Sequence, residues 1–467
     1  MKRFDRPDEL RTFARRGYKK VRCAAPLLAV VIVAAFLSTL AHAADTVGDC
    51  RIGAYRLTDG SMVDIGASDD NALRWRRFDG TSGKLHMTAN GSWSSTLGWT
   101  DQADGKTVTF PDCARGEIAF DAISGHRIAF DVMDTTFDGD GVELAGRLVL
   151  PKTGGRTPIV VWIHGSEDDS AREFLSEQRL LPAEGIGVFV YDKRGTGGSE
   201  GKYTQDFSLL ANDAVAAARE ARRLAGVRGG RIGYFGGSQG GWVAPLAATR
   251  SSVDFVIVGY GLAVSVIDED QEEVALEMRL KGHGPKEIAK AQEVAAAAEA
   301  VFESRFTRGF KRLDALRAKY GRESWYKDVH GNYTWMILPY SEAELREKAK
   351  DVFAPFRNTP FRYDPMPTLR AVNAPQLWIL GEDDLEAPSA ETARRINALG
   401  AEGRPITLAI FPRAEHGIYE FETKPDGERE DTRNADGYFA MLRDFARDGR
   451  LKGSYGASAV RSPKHAQ

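Results

Sequence analysis

Cysteine is scarce in this chain: three in 467 residues. Cys23 falls inside a basic and apolar leader, which leaves Cys50 and Cys113. Two cysteines allow at most one bridge, and in an exported chain an even pair reads as a disulfide, with two buried free thiols as the alternative. An excess of basic charge is also missing. The formal net charge is −3. Residues 2–22 hold nine Lys or Arg against three Asp or Glu, so the remainder carries 54 basic against 63 acidic side chains, a net of −9. That excludes the electrostatic footprint of a nucleic-acid binder. The apolar run from Ala24 to Leu40 is short for a membrane span of about 20 residues. Neither Cys23 nor Cys50 follows the small apolar residues a lipid anchor needs.

What is there begins with that leader. Basic residues, an apolar run and the small residues Ala41, His42 and Ala43 follow in the order of a secretory signal peptide over residues 1–43. Cleavage there would place the mature protein in the periplasm or outside the cell with no stable membrane anchor. An uncleaved anchor is the alternative.

Residues 44–116 hold short alternating runs such as "RIGAYRL", "NALRWRRF" and "KTVTF", separated by "TDG", "FDG", "ANG" and "ADG". This is the pattern of a small antiparallel β domain, bracketed by Cys50 and Cys113. The stretch "DGDGVE" lacks the D-x-D-x-D-G spacing of a calcium loop and reads as a tight turn between two strands.

Over residues 117–262 apolar strands alternate with amphipathic helices: "TPIVVWIHG", "IGVFVYDKRG", "RIGYFGGS" and "VDFVIVGYG" against "LLANDAVAAAREARRLAG" and "QGGWVAPLAATR". Strands hydrophobic throughout imply a mainly parallel sheet covered on both faces, an α/β fold. Residues 263–362 are charged helix, inserted like a cap. Sheet strands return over 363–452 with "APQLWILGEDD" and "ITLAIFPRAEHG". Residues 453–467 are polar and aperiodic and read as a disordered tail.

"GGSQG" (236–240) places Ser238 between glycines where a strand ends and a helix begins. Such a turn holds the hydroxyl up at the sheet edge, and the helix start offers free N–H groups to an oxyanion. A glycine-rich structural turn is the competing reading. A serine hydroxyl needs a base to take its proton. Four histidines follow Ser238. His283 and His330 lie in the helical insertion and His465 in the tail, whereas His416, in "FPRAEHGIY", directly follows the last sheet strand and is the candidate base. The imidazole needs a carboxylate to hold its tautomer. Asp383, Asp384 and Glu386 in "GEDDLEAP" all qualify by type.

With these residues the chain resembles the α/β-hydrolase superfamily. The motifs "WIHGS", "YDKRGTGGSEG", "GGSQG", "GEDDLEAP" and "EHG" stand in the order seen there, nearest to bacterial esterases and serine peptidase-like hydrolases whose oxyanion strand ends in H-G-S. The resemblance covers about residues 127–450, the cap matching only generically. It implies an α/β-hydrolase fold and a Ser238–Asp384–His416 triad, with Asp384 preferred because Gly381 and Pro388 frame it. It implies oxyanion donors at the backbone N–H of Gln239 and Ser166, and no metal or organic cofactor. His164, Asp192, Arg194 and Trp242 are expected to be structural. The implied reaction is hydrolysis of a small-molecule carboxylic ester through an acyl-enzyme. The alternatives are an aminopeptidase-like or amide-cleaving enzyme and a non-catalytic binding protein on the same fold. Where relatives carry Gly or Pro after H-G-S, this chain has Glu167, Asp168 and Asp169. These read either as a solvated loop or as charges that favour cationic substrates or raise the pKa of His416.

Overall fold

The computed structural model describes residues 49–68, 72–152 and 154–463. The expected leader, residues 1–43, lies outside them, as does His465. Among the described residues no helix is long and apolar enough to cross a membrane.

The first eight strands are β1 (Gly53–Leu57), β2 (Met62–Ala67), β3 (Leu73–Arg76), β4 (Ser82–Met87), β5 (Trp93–Leu97), β6 (Ala103–Thr109), β7 (Glu117–Phe120) and β8 (Ile123–Arg127). Each pairs with the next, and β8 returns to β1 through Tyr55↔Arg127 and Leu57↔Gly125, so they form a closed barrel. Closure removes the exposed edges of an open sheet. The interior is filled by side chains such as Tyr55, Ile65, Trp75, Leu85 and Phe120. The "TDG" and "FDG" turns work because Gly60 (φ +85°) and Gly80 (φ +95°) adopt left-handed backbone. This β unit ends at Arg127, a correction to the boundary at 116. β7 and β8 pair with each other and with the barrel, and the expected boundary would have split it. Cys50 and Cys113 form a disulfide with Cα atoms 5.5 Å apart. It ties the segment before β1 to the turn before β7. Such a bond is compatible with an extracellular location.

A nine-stranded sheet follows: β9 (Phe130–Asp138), β10 (Glu143–Pro151), β11 (Thr157–Ile163), β12 (Gly187–Tyr191), β13 (Gly229–Gly237), β14 (Val256–Gly259), β15 (Gln376–Gly381), β16 (Ile406–Phe411) and, last in the chain, the edge strand Ala459–Arg461. Its order is edge strand, β16, β15, β14, β13, β11, β12, β10, β9. The six strands from β16 to β12 are parallel, and β10, β9 and the edge strand are antiparallel to their neighbours. Strands β12, β14 and β15 are buried at every residue, as strands covered on both faces must be. The expectation of a disordered tail over 453–467 is corrected through residue 463. Leu408↔Arg461 and Ile410↔Ala459 pair the tail with β16, whose open edge offers backbone partners that composition does not register. Residues 464–467 lie outside the described residues.

Between β14 and β15 the chain forms the cap helices Val266–Leu280, Pro285–Glu303, Phe310–Tyr320, Thr334–Ile337 and Glu342–Val352, and then a short helix, Met366–Ala371, that leads into β15. Ser265 begins Val266–Leu280 with a reciprocal capping pair to Asp268, and Ser341 begins Glu342–Val352 with one to Glu344. After β16 comes a small antiparallel sheet of β17 (Ala414–Glu415), β18 (Tyr419–Thr423) and β19 (Arg429–Asn434). The edge strand Ala459–Arg461 is β20. The barrel docks on the small sheet. Asn434 N–H donates to the Gly80 carbonyl (3.0 Å) and Trp99 N–H to the Asp431 carbonyl (2.8 Å). Buried Asp64 of β2 takes a two-pronged bond from Arg179 (2.6 and 3.0 Å) in the helix Glu177–Ala183.

Candidate active site

Ser238 follows β13 directly, and the helix Gly240–Ala248 starts two residues later. Its φ is +51°, a left-handed conformation that is costly for a side chain with a Cβ. Backbone bonds hold it there: Ser238 N–H donates to Gly259 (3.1 Å) and Gly241 N–H donates to the Ser238 carbonyl (2.7 Å). A Cβ at Gly236 would stand 2.1 Å from the Gly240 carbonyl oxygen, so only glycine lets the helix fold back on the strand.

Gln239 is the N-cap residue of that helix and is buried. The loop after β11 passes beside Ser238, since a Cβ on Gly165 would lie 3.1 Å from Ser238 Cβ. Ser166 follows in that loop, its carbonyl accepting a hydrogen bond from the Tyr203 hydroxyl. Neither the Gln239 nor the Ser166 N–H donates to a protein group among the described residues.

On the other side of the site, Asp384 is 1% exposed. Its Oδ1 accepts from the N–H of Glu386 (3.0 Å) and Ala387 (2.7 Å), and its Oδ2 lies 3.0 Å from His416 Nδ1. Asp383, the competing acid, has its N–H bonded to the Ala414 carbonyl (3.1 Å) and its carbonyl bonded by Arg429 (2.6 Å). His416 follows β17. Glu415 braces its loop, accepting from Leu385 N–H (2.9 Å) and pairing with Arg429 of β19.

Three further groups shape the site. The Tyr260 ring meets His416 edge-on at 4.9 Å, and its hydroxyl is the first atom a Cβ on Gly237 would strike, so Tyr260 bridges the histidine and the strand before Ser238. Glu386 Oε1 stands 4.0 Å from His416 Nε2. Glu269, on the first cap helix and buried, lies close enough for its charge to act on both His416 and Glu386. Burial works against an imidazolium at His416. The carboxylates of Glu386 and Asp384, the Asp384 hydrogen bond and Glu269 outweigh it and push the ring up to about 10. Burial, reinforced by Glu386, drives the Glu269 carboxyl well above its ordinary range.

The groups that raise His416 most are therefore not the 167–169 loop. The Glu167 carboxylate accepts the Gly165 N–H (3.1 Å) instead. Lys193 reaches the Gly165 and Glu167 carbonyls, and burial lowers its ammonium to about 8 against the pull of Glu167 and Asp168. Glu386 was within reach of the sequence as one of three acids in its loop. Tyr260 and Glu269 carry no local signal, because only the sheet order and the cap bring them to His416.

The residues expected to be structural are fully engaged. Asp192 accepts from Ser170, Arg172 and Gly198. Arg194 makes a paired bond to Asp213 (2.7 and 2.6 Å). His164 Nε2 lies 2.8 Å from the Tyr191 carbonyl. Trp242 donates to the Val264 carbonyl (2.9 Å) and stacks on Phe207.

A family comparison agrees with this architecture. The Alpha/beta hydrolase family matches residues 160–427. No curated protein matches the chain. Among solved structures it is similar to an acylaminoacyl peptidase of Pyrococcus horikoshii, at 16% identity and a TM-score of 0.42, covering 84% of this chain and 57% of that one. It is similar to an esterase of Pyrococcus furiosus at 16% identity and a TM-score of 0.38, covering 62% and 83%. It is also similar to a proline iminopeptidase of Mycobacterium smegmatis at 18% identity and a TM-score of 0.39, covering 68% and 98%. The chain thus spans little more than half the length of the acylaminoacyl peptidase. The family match runs from the strand before the 164–167 loop, through Ser238 and Asp384, to beyond His416, and the chain belongs to the alpha/beta hydrolase family.

Proposed function

We infer that this protein is an exported serine hydrolase that cleaves small carboxylic esters. The observation that carries the reading is buried Asp384 paired at 3.0 Å with half-buried His416, on the same sheet edge as a serine held in left-handed backbone. In this reading His416 takes the Ser238 proton as the hydroxyl attacks the ester carbonyl, and Asp384 fixes the imidazole with Nδ1–H toward itself. The oxyanion rests on the N–H groups of Gln239 and Ser166, each worth about 3 kcal/mol in comparable sites. The alcohol leaves with the His416 proton, and water activated by the same ring releases the acid. Export rests on the leader pattern and the Cys50–Cys113 disulfide. The deciding experiment is turnover of short- and medium-chain p-nitrophenyl esters by the mature protein beside Ser238→Ala, with phosphonate labelling of Ser238. Loss of both turnover and labelling in the variant is the expected result. A wild type that neither turns over esters nor reacts with the phosphonate would defeat the reading in favour of a binding protein.

One observation favours a second reading, cleavage of an amide or peptide with a free amino group. Glu269 and Glu386 flank His416 and have no Lys or Arg partner among the described residues. A histidine near 10 is protonated at neutral pH and is a poor base. A substrate ammonium beside Glu386 would cancel its field and bring His416 down toward a working value. Comparing kcat/KM for matched amino-acyl esters and amides, with and without an acetylated amine, separates the two readings.

A further inference from the structure

The first cap helix, Val266–Leu280, carries a cluster that the proposed reaction does not use. Glu273 and Glu277, four residues apart, share one helix face. His330 comes to that face from the turn after Tyr326–Asp328. One oxygen or nitrogen from each of the three lies within 4.8 Å of the others. His330 Nδ1 is 3.1 Å from Glu277 Oε1. Glu273 is 5% exposed, and its Oε2 is buried with no hydrogen-bond partner. A carboxylate oxygen sealed from water and bonded to nothing costs several kcal/mol if charged, so it must hold a proton or a cation. Lys281 pairs with Glu277 (3.3 Å) and the Asp328 carbonyl (3.4 Å), not with Glu273.

The surrounding structure holds the three in place independently of any ligand. Gly331 lets the His330 turn press on the helix: a Cβ there would strike Val274 at 2.7 Å and Asp270 at 2.8 Å. Asp270, one turn before Val274, accepts the N–H of Tyr333 (2.6 Å) and Thr334 (3.2 Å) and the Thr334 hydroxyl (2.6 Å), which clamps the turn to the helix. The His330 ring lies parallel to Trp335. Ligand atoms around a tetrahedral zinc stand roughly 3.4 Å apart, given bonds of about 2.1 Å, so the cluster needs only a small contraction. One imidazole and two carboxylates suit zinc better than the all-oxygen shells that calcium or magnesium prefer.

We propose that Glu273, Glu277 and His330 form a zinc site that joins the first cap helix to the turn after Asp328. The ion meets the orphaned Glu273 oxygen and replaces the bare Glu277–His330 pair with a three-ligand centre. The inference stands apart from the ester-hydrolase reading. Its test is calorimetric titration of Zn²⁺ into chelator-stripped, tag-free mature protein, repeated with Glu273→Gln, His330→Asn and, as a control, His283→Ala. Glu273→Gln is nearly isosteric and His330 is partly exposed, so both variants are expected to fold, as circular dichroism checks. The expected result is one site per chain, weakened at least about tenfold by each ligand variant and unchanged by His283→Ala. No binding to the stripped wild type overturns the proposal and leaves a protonated Glu273 as the explanation. Binding that survives both ligand variants overturns it equally. If Glu273→Gln alone fails to fold, His330→Asn decides.

Discussion

The two sides of the candidate site are built by different physics. Ser238 is held by backbone packed on backbone. Gly236 lies against the Gly240 carbonyl, Gly165 against Ser238 Cβ, and Gly237 beneath Tyr260. His416 is held by charged side chains: Asp384 on its ring, Glu415 and Arg429 bracing its loop, and Glu386 and Glu269 setting its field. Steric clamps have no intermediate state, because an added Cβ either fits or breaks them. Charged contacts are graded, since each can be weakened without removing the rest. The serine side should therefore respond to substitution by collapse, and the histidine side by tuning.

The largest effect should come from Gly236→Ala. Its methyl would fall 2.1 Å from a backbone oxygen and 2.8 Å from Ala244 Cβ, and neither can retreat without moving the helix off the strand. We expect destabilisation of about 1–3 kcal/mol or more, read by urea unfolding, together with loss of phosphonate labelling. Normal stability with full labelling would show that the turn tolerates a side chain and would erase the contrast.

Next comes Arg429→Ala. The guanidinium bonds the Asp383 carbonyl and Glu415, so it ties the acid loop to the histidine loop. Burial already pushes the Glu415 carboxyl above its ordinary value, and Arg429 opposes that shift. Without it we expect Glu415 to take up a proton more readily and the His416 loop to loosen. The fall in kcat should be about 10- to 100-fold with a small change in KM, partly restored by Arg429→Lys. A loss as complete as that of Ser238→Ala would mean the histidine side is as brittle as the other.

The same division explains what could be read from the sequence. Backbone clamps leave local marks. "GGSQG" at a strand–helix junction announces Ser238, and "HG" after β11 announces the loop beside it. Strand periodicity and composition gave the parallel sheet, the helical insertion and the antiparallel unit before them. Long-range closure leaves no such mark. The barrel's extent to Arg127 depends on β8 finding β1, and the order of the 453–463 segment depends on the free edge of β16. The field around His416 was equally hidden. Of the charges nearest in sequence to "HGS", Glu167 accepts the Gly165 N–H and Asp168 acts by charge on Lys193, while Glu269 acts on His416 from the cap.

Glu386→Gln should tune rather than break. The Glu386 charge is the largest single effect that raises His416. With the ring pushed up to about 10, the imidazolium predominates at pH 7. A negative charge favours the protonated form, so removing it lowers the histidine pKa and enlarges the basic fraction. For a neutral ester the acid limb of the kcat/KM profile should move to lower pH, and activity at pH 7 should rise about tenfold for every pH unit the limb moves. For a substrate with a free amine the same change removes an attractive partner and should raise KM. An unmoved limb would show that Glu386 does not set the histidine.

The smallest effect should come from the contact between the barrel and the histidine sheet. Trp99 meets the Tyr419 ring edge-on at 4.5 Å and lies under the Arg74 guanidinium at 4.3 Å. Its backbone N–H bonds Asp431, a link that Trp99→Ala leaves in place. The ring contacts should be worth about 0.5–1.5 kcal/mol, measured by a double-mutant cycle with Tyr419→Ala. Because Glu415 and Arg429 brace the histidine loop without the barrel, turnover should change less than about twofold. A fall of tenfold or more with the fold intact would mean that the barrel itself positions His416, and that the tuned side of the site extends through β18 and β19 into the first eight strands.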